Sequence, residues 1–89
     1  MHEPHVNYQH RIDLSSGDCV WPASSYLISE VANCLGVLDN NVQPAIAMRE
    51  PHVTLNIEVP QSKLQRLEER IKAIEKHFAE QGWLKSVPT

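Results

Sequence analysis

Two cysteines, three glycines and five aromatic rings of the Phe, Trp and Tyr kinds are all that these 89 residues contain of those types. Cys19 and Cys34 are too few for a disulfide scaffold, and they form no C-x-x-C pair. No stretch approaches the roughly 20 apolar residues that a membrane-crossing helix requires. Positive charge is also short, with eight Lys and Arg against eleven Asp and Glu, a formal net charge of -3. That balance gives no electrostatic footprint for nucleic acid or an anionic membrane surface. The opening MHEPHVNYQHRID has no apolar run of the kind a secretory signal carries. The expectation is a cytoplasmic protein with reduced thiols.

What remains is ordinary globular composition, 42% hydrophobic and 21% charged, which argues against disorder of the whole chain. Its length fits a single core. Residues 1–5 read as a flexible lead-in and 6–89 as a single domain. Val6, Tyr8, Ile12 and Leu14 alternate with Asn7, Gln9, Arg11 and Asp13, which predicts a strand with one wet face, interrupted by His10 on its apolar side. Ser15–Asp18 is turn chemistry. Leu27, Ile28, Val31, Cys34, Leu35 and Leu38 then share a helical stripe, with Ser24, Ser25, Glu30 and Asn33 away from it. This predicts a helix over 23–35, with Pro22 at its first position and an end near Gly36.

Residues 42–48 and 53–59 read as two strands joined at Arg49-Glu50-Pro51, the first placed at an edge by Pro44. Leu64, Leu67, Ile71, Ile74 and Phe78 mark a second helix over 62–81. Ser62 and Gln65 are spaced for a capping box, and Gly82 is a stop. Trp83 to Thr89 offers a short last strand or a loose end.

The expected class is therefore α+β, an antiparallel sheet with two helices on one face. The order β-α-β-β-α, with a possible short final β, resembles the ferredoxin-like split βαβ arrangement. The resemblance is one of architecture over most of the chain. Function must then be read from sites. Metal chaperones of this shape carry paired cysteines after the first strand, where Cys19 stands alone. Acylphosphatases rest on a glycine-rich anion loop that Ser15–Pro22 lacks. RNA-recognition modules stack bases on sheet aromatics, and the expected open face has none. Small metabolite-sensing modules of the ACT type bind near the loop between the first strand and helix, where Gly17 and Asp18 form a turn.

Gly17, Asp18 and Cys19 are accordingly the candidate ligand-binding residues. Cys19 reads as a loop thiol open to solvent, and Cys34 as a buried one on the helix stripe. The five histidines have no metal-site spacing, and no nucleophile has an evident base. No catalytic residue, metal or cofactor is expected. Trp21, Trp83 and Leu84 flank the helices and are candidate interface anchors. The sequence thus leads to a small non-enzymatic regulatory or accessory binding module, homodimeric, with a small metabolite or protein as partner. A small enzyme using Asp18 or Cys19 in the 15–22 loop, and a nucleic-acid-associated regulator, are the alternatives.

Overall fold

The computed structural model describes residues 3–85. Strand β1 spans His5–Asp13, helix α1 Val20–Leu35, strand β2 Ala45–Ala47, strand β3 His52–Pro60 and helix α2 Leu64–Gln81. The fold is α+β: a three-stranded antiparallel sheet in the order β1-β3-β2, with two helices. The strand alternation read from sequence sets the two sheet faces. Ile12, Val53, Leu55 and Val59 are buried with the helices, while Asn7, Gln9, Arg11, Asp13, Asn56 and Glu58 are exposed.

The core joins Leu27 and Val31 of α1 to Leu67, Ile71, Ile74 and Phe78 of α2 and to the inner strand residues. Burying a large apolar side chain of this kind is worth about 1.5–3 kcal/mol, and the helical stripes exist to collect that gain. Polar contacts fix the helices at their margins. Arg70 donates from Nη1 to Glu30 Oε1 at 3.2 Å, and His10 Nε2 donates to Glu75 Oε1 at 3.2 Å. Lys63 Nζ reaches the Leu35 carbonyl at 2.8 Å, placing a cation at the negative end of α1. Gly36 (φ 70°) and Gly82 (φ 77°) end the two helices in the left-handed region, as glycine does at this position.

Several expectations are corrected. Helix α1 begins at Val20, because a 3₁₀ turn over Gly17–Cys19 feeds directly into it, so Trp21 lies inside its first turn. Ser24 falls on the buried side, 1% exposed, and Leu38 lies beyond the helix end at 71% exposure. The helical spacing does not reach Leu38, because the helix ends at Gly36 as expected. Strand β2 is three residues long, and Val42 is buried outside it while Met48 lies exposed in the turn. The capping box at Ser62 and Gln65 is not formed, since a 3₁₀ turn over Gln61–Lys63 precedes α2 and Lys63 is its cap residue without a side-chain bond. Residues near the chain start take that role: Ser62 N–H donates to Glu3 Oε1 at 2.7 Å and Gln61 N–H to the Pro4 carbonyl at 3.0 Å. Of the expected last strand, Leu84 bridges Leu14 in antiparallel sense, and residues 86–89 lie outside the described part.

Candidate functional site

The end of the sheet where β1 finishes is built from three separate segments. Leu14 N–H donates to the Pro51 carbonyl at 2.9 Å, which brings the β2–β3 turn alongside the end of β1. On the other side, Ser15 N–H donates to the Trp83 carbonyl at 2.7 Å and Lys85 N–H to the Asp13 carbonyl at 3.1 Å. These bonds frame a cavity of about 290 Å³ lined by Arg11, Asp13, Ser15, Arg49, Glu50 and Lys85, with Leu14 and Pro51 as its apolar part. A shallower depression over Gln9, His10 and Thr54 adjoins it through Arg11.

The charge in this cavity is mixed and tips positive, with three cationic side chains against two carboxylates. Arg11 is already engaged: its Nε donates to Asp13 Oδ1 at 2.9 Å, and its Nη2 lies 3.9 Å from Glu50 Oε2. Among the described residues, neither Arg49 nor Lys85 has a carboxylate within salt-bridge reach. The Ser15 hydroxyl donates to the Gly82 carbonyl at 2.8 Å, so it helps hold the wall in place. Such an arrangement suits a small anion that two unpaired cations can share.

None of the residues singled out from sequence lines this cavity. Gly17 is half-buried near Met48: a Cβ added there would stand 3.7 Å from Met48 Cε. Asp18 is exposed. Cys19 is 5% exposed, contrary to the open loop thiol expected, because the 3₁₀ turn folds its side chain inward. Its Sγ donates to the Ser16 carbonyl at 3.0 Å and lies 3.6 Å from both Ser15 Oγ and the Trp83 carbonyl. Burial pushes this thiol up, but hydrogen bonding from Ser16 and Ser15 outweighs it and holds the thiol below its usual range. Cys34, 8% exposed, is buried as expected.

Trp21 is 63% exposed, whereas Trp83 is half-buried against Phe78 and His77. Leu84 is half-buried and packs on the core. Ser24 Oγ is buried without a hydrogen-bond partner among the described residues. Among those residues no cluster of His, Cys, Asp or Glu has the geometry of a metal site, and no helix is long and apolar enough to cross a membrane.

The sequence by itself does not mark Arg49, Glu50 and Lys85 as site residues. Arg49-Glu50-Pro51 is legible there only as a turn, and Lys85 only as part of a tail. Nothing local signals that the two segments meet. No family model matches this chain, and no curated protein or solved structure matches it either.

Proposed function

We propose that this chain is a small non-enzymatic regulatory or accessory module, working as a homodimer, that binds a small anionic metabolite in the cavity at the end of the sheet. The observation that carries the reading is the pair Arg49 and Lys85, which line one cavity without a carboxylate partner among the described residues, in a chain whose net charge is negative. Cations left unpaired at a concave site attract a ligand that supplies the missing charge. The two groups near the cavity with nucleophilic chemistry are both engaged, the Ser15 hydroxyl with a carbonyl and the Cys19 thiol in a buried hydrogen-bonded setting. This favours binding over catalysis in the 15–22 loop. The sheet order β1-β3-β2, with Leu84 bridging the outer side of β1, supports the ferredoxin-like reading of the fold, with the tail in the position of a fourth strand.

The test is a titration of the labelled protein with succinate and with inorganic phosphate, followed by amide chemical shifts. Saturable shifts at Arg11, Ser15, Arg49 and Lys85 are expected, abolished by Arg49→Glu and by Lys85→Glu. Lys76→Glu, on α2, carries the same charge change away from the cavity. Equal loss in that variant, or no saturable shift with either anion, sinks the reading.

A further inference from the structure

The hydrogen-bonding phase of β1 can be read from its two ends. Leu14 N–H bonds the Pro51 carbonyl, and the Pro4 carbonyl accepts from Gln61 N–H, both continuing the register of β1 on β3. In an antiparallel ladder the residues bonded to a neighbour alternate. The even-numbered residues of β1 therefore turn their backbone groups toward β3, and the odd-numbered ones turn theirs away. Asp13 and Ser15 agree with that phase, since their carbonyl and N–H face outward and are taken by Lys85 and Trp83. His5, Asn7, Gln9 and Arg11 are left with outward N–H and carbonyl groups that nothing among the described residues pairs. Val6 and Tyr8, on the helix side of the same stretch, are only half-buried.

We propose that this edge, unpaired among the described residues from His5 to Arg11, is a self-complementary interface, on which β1 of a second copy pairs antiparallel about a two-fold axis at Tyr8. It rests on the dimeric part of the reading above and supplies its interface. The four positions unpaired among the described residues are symmetric about residue 8. With the axis there, His5 faces Arg11 of the second copy and Asn7 faces its Gln9, so every outward group on both strands finds a partner. A register centred one residue later, on Gln9, sets His5 against Asp13, whose carbonyl already accepts from Lys85.

The tail thus selects the register by closing the edge beyond Arg11. Tyr8 meets its own copy in the non-hydrogen-bonded position, where side chains come closest. Edges this long are normally covered or disrupted, and β1 has no proline or bulge to disrupt it. The outer edge of β2 is the poorer choice, being three residues long and preceded by Pro44. The pairing also gives the cavity a residue from outside the chain, because His5 of the second copy lies opposite Arg11 on the open face of the sheet. Like-patch symmetry of this kind is the common form of soluble dimers.

The test needs no loss of fold. Sedimentation at high micromolar concentration should report twice the 10.1 kDa chain mass. Amide exchange should protect Asn7, Gln9 and Arg11 as well as Tyr8, His10 and Ile12, with the first three losing protection on dilution. Facing residues in a non-hydrogen-bonded pair have Cα atoms about 4.5 Å apart, within disulfide range. Tyr8→Cys should therefore cross-link into a covalent dimer under mild oxidation, while Gln9→Cys and the unaltered chain should not. A mass of 10.1 kDa at every concentration overturns both the dimer and this interface. A dimer whose Asn7, Gln9 and Arg11 amides exchange freely, or one that cross-links at Gln9→Cys instead, overturns the interface alone. Anion binding in the cavity is read by its own titration. Should Tyr8→Cys fail to fold, exchange on the unaltered chain decides.

Discussion

Tyr26 of α1 and His77 of α2 lie face to face, with ring centroids 4.0 Å apart and planes 11° from parallel. Phe78 meets Tyr26 edge-on at 6.1 Å, and Trp83 meets His77 edge-on at 5.9 Å. The stack clasps the two helices near the chain's C-terminal end, next to the segment that closes the cavity. Aromatic pairs of this kind contribute about 0.5–1.5 kcal/mol beyond their buried area. A double-mutant cycle with Tyr26→Leu and His77→Leu should return a coupling in that range by thermal or urea unfolding. Additive losses would mean that the rings stack without supporting each other.

The two thiols are expected to behave alike in the folded state, despite their different elements. Both are buried, and Cys19 is held by Ser16, Ser15 and the Trp83 carbonyl. Alkylation of each should be slow in native buffer and fast in denaturant, as read by mass spectrometry. Trp83→Ala should single out Cys19, because it loosens the segment that covers it. Local weakening by about 1.4 kcal/mol raises exposure, and so reactivity, about tenfold. Cys34 should stay slow in the same variant. Rapid labelling of Cys19 in the unaltered folded chain would contradict its placement under the tail.

Acid should release the chain start from α2. Ser62 holds the Glu3 carboxyl below its usual value of 4.5, through contact of its side chain and its backbone N–H. A lowered folded-state value means that the ionised carboxylate supports this contact at neutral pH, and that the support is lost as pH falls through the carboxylate range. Exchange of the Ser62 amide should therefore quicken, relative to its intrinsic rate, as pH is lowered from 6 toward 3. Glu3→Gln should remove that pH dependence while leaving the fold intact. An unchanged profile in Glu3→Gln would show that another group ties the residues before β1 to the turn before α2.

Both helices, the alternation of β1 and β3, and the stops at Gly36 and Gly82 were determined by the sequence alone. Each is a local property, an apolar period of 3.6 or 2 or a backbone angle that glycine adopts easily. Pro44 likewise marks an edge strand by itself, because it has no N–H to donate to a second neighbour. What the tertiary structure decided lies wherever distant segments meet. Ser24 is buried because of what packs across from it, and Leu38 is exposed because the chain has already left the helix. Glu3, not Ser62 or Gln65, supplies the side chain that bonds the turn before α2. Cys19 is enclosed by a carbonyl from residue 83, and the cavity takes its cations from positions 11, 49 and 85. No periodicity links those positions, since their proximity follows from the pairing of β1 with β3 on one side and with the tail on the other.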